Sequence, residues 1–262
     1  MSYIEGDLSR PQSQTNPGWN PTLAAEGVGC ASCHIRDGVV LGKHPSTTAP
    51  HPVLVSTELS SSQMCATCHQ LSWPEADQPF YDTYGEWESS AYATAGVRCQ
   101  DCHMPPRPGP ASASRFAATS DHSVEASLPR AVSILVDMDT NVIQRGQNQH
   151  FEIKVQNTGS GHHFPTGSPF KSYTLIATIV NAQNEVLSSE LRHVFTRTII
   201  ESPPWHTLSD SRIPAGGSVD LIWDTQVDQR IQAQTAVLRI SIETSVDPNQ
   251  PIILQEIPIQ IL

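Results

Sequence analysis

Long apolar runs are missing from this chain of 262 residues: no stretch of 18 or more consecutive apolar residues occurs, so no transmembrane helix is expected. Hydrophobic residues make up only 38% and aromatic residues 6%, a thin supply for two ordinary side-chain cores. Lysine is scarcer still, limited to Lys43, Lys154 and Lys171, and the formal net charge is −11. Acids outnumber bases 13 to 6 over residues 1–128 and 13 to 9 over 129–262. Such a balance argues against nucleic acid or anionic lipid as partners and favours a basic docking patch on another protein. Met1 to Pro21 is polar and holds no apolar h-region, so it does not read as a secretion signal.

Cysteine is also sparse. The six present fall into three copies of one motif: Cys30-Ala31-Ser32-Cys33-His34, Cys65-Ala66-Thr67-Cys68-His69 and Cys99-Gln100-Asp101-Cys102-His103. C-x-x-C-H is the attachment sequence of covalent c-type haem. Residues three apart share one face of a helical turn, so both thiols reach one porphyrin edge, and the next histidine can put a nitrogen on the iron. Structural zinc wants four ligands, which three pairs do not divide into. A disulfide framework needs no histidine after each second cysteine. Three c-type haems, each carrying iron, are therefore expected, with His34, His69 and His103 as proximal ligands. Buried porphyrins would also supply apolar surface that the side chains lack. Covalent haem attachment takes place outside the cytoplasm, so the expected location is periplasmic or extracellular, with a leader removed or left out.

Two halves differ in pattern. Residues 1–128 hold every cysteine, and the motifs begin 35 and 34 residues apart. The approaches Ala24–Gly29 and Ala93–Arg98 share an Ala-x-x-Gly-Val core in a weak internal repeat. Thr83 to Ala95 reads as a helix, Ser60 to Cys68 as another opened by serine caps. Gly42–Pro52 and Pro105–Pro110 read as proline-rich loops. From about residue 129 the period becomes two: Val132, Ile134 and Val136; Phe151, Ile153 and Val155; Tyr173, Leu175, Ala177 and Ile179; Val219, Leu221 and Trp223; Ala236, Leu238, Ile240 and Ile242; Ile257, Ile259 and Ile261. With Val194 and Phe195, about seven strands are expected. The expected fold class is α+β multidomain: a haem-packed, mostly helix-and-loop domain at 1–128, then an immunoglobulin-like β-sandwich at 129–262.

Between the second and third expected strands lies Gly159-Ser160-Gly161-His162-His163-Phe164-Pro165-Thr166-Gly167, a glycine-rich loop suited to reach into a neighbouring domain. This loop, the motif Cys65–Gln70 and the blocks Gly-Val-x-Cys-x-x-Cys-His and Gly96–Pro105 resemble a group of multihaem cytochromes c. That group is related to the tetrahaem cytochromes of nitrifiers, and its members carry a C-terminal β-domain with a G-H-x-x-P-T-G loop. The resemblance covers most of residues 22–225. It implies bis-histidine haems packed closely into an electron-transfer wire. Three attachment motifs stand here where the tetrahaem relatives have four, so ligand pairing is not carried over wholesale.

Eleven histidines less three proximal ones leave eight for three sixth positions. His51, between Pro50 and Pro52, is held in an extended loop and is the first choice; His44 is its rival. The resemblance points to His122, after the loop behind the third motif, and to His162, directly after glycine, with His163 as rival. His150, His193 and His206 lie in or beside expected strands and read as surface histidines. Met64 and Met104 adjoin attachment motifs and would have to fold back on their own haems. Trp73, Phe80, Tyr81, Tyr84, Trp87 and Tyr92 cluster between the second and third motifs and are expected to exclude water around porphyrins.

Enough histidines are present to saturate every iron, so an electron-transfer protein without a substrate is expected, not an enzyme. The alternative is a haem enzyme, of a nitrogen-oxyanion or hydroxylamine reductase type, with one open coordination position. A third reading makes the chain a homo-oligomer or a subunit of a conductive filament, joined through exposed strand edges.

Overall fold

A computed structural model describes residues 22, 28–108, 118–124 and 126–262. The polar opening at 1–21, the approach at 23–27 and most of the loop behind the third motif lie outside the described residues. Six α-helices are described: α1 Cys30–His34, α2 Gln63–His69, α3 Thr83–Glu88, α4 Ala91–Thr94, α5 Cys99–His103 and α6 Leu128–Ala131. The first half also holds five short strands, β1 Ile35–Arg36, β2 Val39–Gly42, β3 Leu54–Val55, β4 Pro106–Pro108 and β5 Ala118–Ser120. Nine more follow: β6 Ser133–Asp137, β7 Val142–Ile143, β8 Asn148–Gln156, β9 Ser172–Val180, β10 Leu191–Ile199, β11 Thr207–Asp210, β12 Ser218–Gln226, β13 Thr235–Thr244 and β14 Ile252–Ile261.

The α+β class with a mostly helix-and-loop first domain is thereby corrected: the chain is mostly β, with several sheets, and no described α-helix exceeds seven residues. The reason is local. An attachment motif needs a single turn, and each motif histidine closes its helix, followed at once by extended backbone after His34 and His69. The expected helix at 83–95 is broken at Ser89 and Ser90. Their hydroxyls bond back to the carbonyls of Gly85 and Trp87, at 3.0 and 2.7 Å, and Ser90 is extended. The serine before α2 does not cap its own helix either; Ser62 Oγ accepts the amide of Cys99 at 3.1 Å.

Strands β11-β10-β9-β13-β14-β7 form one sheet and β12-β8-β6 another. Both contribute to one apolar core. Phe151, Ile153 and Val155 of β8 and Leu221 and Trp223 of β12 meet Leu175, Ala177 and Ile179 of β9 and Leu238, Ile240 and Ile242 of β13. These are the alternating residues of each strand, whose side chains share a face because strand periodicity is two. The two-residue β7 and the polar β11 are too short and too weakly patterned for periodicity to reveal. No described helix is long and apolar enough to cross a membrane.

The β8–β9 connection crosses from the smaller sheet to the larger, and the β11–β12 connection crosses back. The two crossings are tied together: Phe164 and Ile213 exchange backbone hydrogen bonds of 2.8 and 2.9 Å. Buried Asn157 donates from Nδ2 to the carbonyls of His162 and Ile213, at 2.8 and 3.0 Å. The glycine-rich loop is thus fixed by its backbone before any side chain of the first half reaches it.

Candidate haem-ligand site

The three attachment motifs lie side by side. Arg98 Nη1 donates to the Ser60 carbonyl at 3.1 Å and Gln100 Nε2 to that of Ser61 at 2.7 Å, joining the starts of α2 and α5. Cys65 and Cys99 are close enough for their thiols to share a hydrogen bond, which pushes Cys65 up and Cys99 down to about 6. Burial pushes the Cys33 thiol up, helped by neighbouring Cys68. Asp101 caps α5 by accepting the Arg98 amide at 2.8 Å. No disulfide joins any two of the six cysteines; Cys33, Cys65 and Cys99 are half-buried and Cys30, Cys68 and Cys102 exposed. Each motif therefore presents one sheltered and one open sulfur, on a single helical turn.

Two of the three motif histidines face a second imidazole. His34 and His122 have ring centroids 6.2 Å apart with planes tilted by 32°; His103 and His162 are 6.2 Å apart and within 14° of parallel. Metal–imidazole bonds of about 2.0–2.1 Å, with ring radii of about 1.2 Å, place the centroids of two rings sharing one metal roughly 6.4 Å apart. Both pairs match that spacing. Tautomers fit too. Nδ1 lies 2.9 Å from the Leu41 carbonyl in His34, 2.8 Å from that of Ser120 in His122 and 2.9 Å from that of His163 in His162. A carbonyl only accepts, so each Nδ1 must carry the proton, and each Nε2 keeps its lone pair for a metal. Burial holds the His162 pKa below the usual histidine value, keeping the ring neutral as ligation requires. Among the described residues no three His, Cys, Asp or Glu side chains converge as a metal-ion cluster. Two opposed imidazoles are a different arrangement, one that fits a haem.

The third motif histidine stands differently. Burial lowers the pKa of His69, helped by the charges of His103 and Lys171. Among the described residues no ring contact pairs it with His51, which is exposed with Nδ1 3.2 Å from the Pro52 carbonyl. Beside α2 opens a cleft of about 400 Å³, lined in part by Arg36, Met64, Thr67 and Gln70.

His163, the rival in the loop, turns the other way. Its Nδ1 lies 3.2 Å from Glu86 Oε1, an ion-pair distance without hydrogen-bond alignment. Glu86 of α3 is 2% exposed and receives three further donors: the His163 amide at 3.1 Å, the Thr166 hydroxyl at 2.6 Å and Arg212 Nη1 at 2.6 Å. Desolvation would raise its pKa, but the His163 ring beside it, the Arg212 charge and the Thr166 hydroxyl together hold it at about 2. Arg212 is 7% exposed and also pairs with Asp210 at 2.7 Å. Sequence reading had no signal for Glu86 or Arg212, since neither stands in a motif; Thr166 was visible only as the threonine of the loop.

Further contacts join the halves. Tyr92 donates to the Thr158 carbonyl at 2.6 Å, and the Thr83 and Thr166 hydroxyls meet at 2.9 Å. Trp73 packs on Trp205 with centroids 4.0 Å apart, and Phe80 lies 5.9 Å from Phe170. These aromatics line the junction of the halves. A Cβ on Gly161 would press on Trp87 and Tyr92 at 3.2 Å, and one on Gly159 would run into the Arg130 carbonyl. Gly159→Ala is therefore expected to displace the loop and cost at least about 1–3 kcal/mol, measured as a lower denaturation midpoint.

No family model and no curated protein matches the chain. Among solved structures, the CARDB domain of a Pyrococcus furiosus protein aligns at 11% identity over 50% of this chain and 87% of its own, with a TM-score of 0.28, too slight to bear on the fold. A penta-heme cytochrome c552 from Thermochromatium tepidum aligns at 19% identity over 79% of this chain, with a TM-score of 0.57. This chain spans 58% of that structure's length. Across most of its residues, the chain shares the fold of part of a multihaem cytochrome c.

Proposed function

We propose that this chain is an electron-transfer protein holding three covalent c-type haems, and not an enzyme. The observation that carries this reading is the pairing of His34 with His122 and of His103 with His162 at the spacing of two rings on one metal. Cys30 and Cys33, Cys65 and Cys68, and Cys99 and Cys102 would hold the porphyrins. His34, His69 and His103 would be the proximal ligands and His122 and His162 two of the distal ones; His51, the choice from sequence for the third, stands apart from His69. Bound haem supplies a one-electron ferric/ferrous couple at each motif. The protein's share is positional. Backbone carbonyls fix three imidazole tautomers, the joined starts of α2 and α5 keep neighbouring motifs adjacent, and the loop crossing between sheets sets His162 opposite His103. The acidic surface suits redox partners with a basic docking patch, in a periplasmic or extracellular setting.

Denaturing mass spectrometry is expected to find three covalently retained haems, and Cys30→Ala to lose or weaken one. Zinc in their place, or haem extracted by acid-acetone, overturns the reading. A second reading rests on His69, which among the described residues faces neither His51 nor another imidazole in a ring contact: that iron would stay open, as in a reductase of nitrogen oxyanions or hydroxylamine. A high-spin signal in the oxidised parent protein that shifts with cyanide or nitrite supports that reading, and a purely low-spin spectrum supports the wire.

Residues 129–262 are further proposed to fold as a unit without haem. Expressed alone, they should give a β-type circular dichroism spectrum and no Soret band; a helical spectrum overturns the division near residue 128.

A further inference from the structure

Among the described residues, Glu86 is the one first-half carboxylate that hydrogen-bonds the glycine-rich loop, and its place calls for a role. It sits on α3, 2% exposed, yet remains ionised among the His163 amide, the Thr166 hydroxyl and Arg212. The first two donors belong to the residues on either side of Phe164 and Pro165, so a single carboxylate grips the loop just after His162. Arg212 comes from the other crossing connection, tied to the same loop through the Phe164–Ile213 bridge. A buried carboxylate is costly to place without compensation, and here every partner of the carboxylate among the described residues is in the loop or is Arg212.

We propose that Glu86 is a positioning residue for the distal ligand His162, and that the Glu86–Arg212 pair sets the reduction potential of that one iron. The proposal rests on reading His103 and His162 as a ligand pair. Two physical effects combine. Holding the amide of His163 and the hydroxyl of Thr166 restrains the His162 backbone, whose carbonyl is already bonded by Asn157 Nδ2 at 2.8 Å, and keeps in place the His163 carbonyl that orients the His162 ring through Nδ1 at 2.9 Å. The carboxylate charge, in a medium less screening than water, favours the ferric over the ferrous state, and the guanidinium opposes it. Each half of the molecule thus contributes one charge of the pair.

The test uses the full-length holoprotein and a spectroelectrochemical titration that resolves the three haems. His162→Ala first identifies the affected iron as the one that turns high-spin. Glu86→Gln is expected to raise the midpoint of that iron by a tenfold change in its ferric/ferrous ratio, about 59 mV for one electron, while the other two stay in place. Arg212→Gln should move the same midpoint downward. Unchanged midpoints in Glu86→Gln, or equal shifts at all three irons, overturn the proposal. Where Glu86→Gln fails to accumulate with haem, Thr166→Val carries the test. It removes one donor without changing charge, and cyanide should then displace the distal imidazole at one iron about tenfold faster; an unchanged rate overturns the proposal. If three haems are retained and His162→Ala leaves every iron low-spin, the ligand pair itself is wrong and Glu86 has nothing to position. That failure is distinct from a silent Glu86.

Discussion

Replacing His162 with alanine should turn one of the three proposed low-spin irons high-spin. The ring of His162 is the one facing His103 at 6.2 Å, with Nδ1 spent on its neighbour's carbonyl, so its loss removes the nitrogen offered to that iron. His163→Ala should leave the spin state unchanged, because that side chain faces Glu86. Optical and paramagnetic resonance spectra of the two oxidised variants decide the matter. The reverse outcome would reassign the ligand within the loop. No change in either variant, or in the double variant, would show that the loop donates no ligand.

The largest effect on stability should come from Arg212→Gln. The substitution leaves the 2%-exposed Glu86 without its cation, and breaking a buried pair in this way costs about 3–5 kcal/mol. Chemical denaturation at neutral pH measures it. Acid should attack the same cluster. Glu86 is held at about 2, below its ordinary value of 4.5, so the folded state binds its proton less readily than the unfolded chain does. The contribution, about 3 kcal/mol, is therefore complete above pH 4.5 and is lost as pH falls through about 2. The parent protein should lose stability over that window. Glu86→Gln should be less stable at neutral pH and should show a flatter decline on acidification. An equally steep decline in both proteins would place the acid sensitivity elsewhere.

Covalent chemistry and strand patterning were legible in the residues themselves. Three C-x-x-C-H motifs point to haem because thiol and imidazole placement on one helical turn is a local property, and each motif does form that turn. The long strands β8, β12 and β13 were legible as well, since burial on one face of a sheet imposes alternation on Phe151–Val155, Leu221–Trp223 and Ala236–Ile242. The first half was less legible. Its strands are two to four residues long, shorter than any period can register, and the serines at 89 and 90 end a helix through hydrogen bonds that composition does not announce.

Only the tertiary structure decided which histidine of the loop faces His103, because His162 and His163 have the same chemistry and differ by one residue. The choice is made at long range: Asn157 holds the carbonyl of His162, and Glu86, 77 positions before His163 in the chain, takes that residue's amide and stands at ion-pair distance from its ring. The sequence by itself determined what chemistry the chain can carry, since motif spacing fixes which atoms share a helical turn. Which imidazoles meet, and beside which buried charge, depended on how two sheets cross and on a carboxylate from the other half, and no local pattern encodes such pairings.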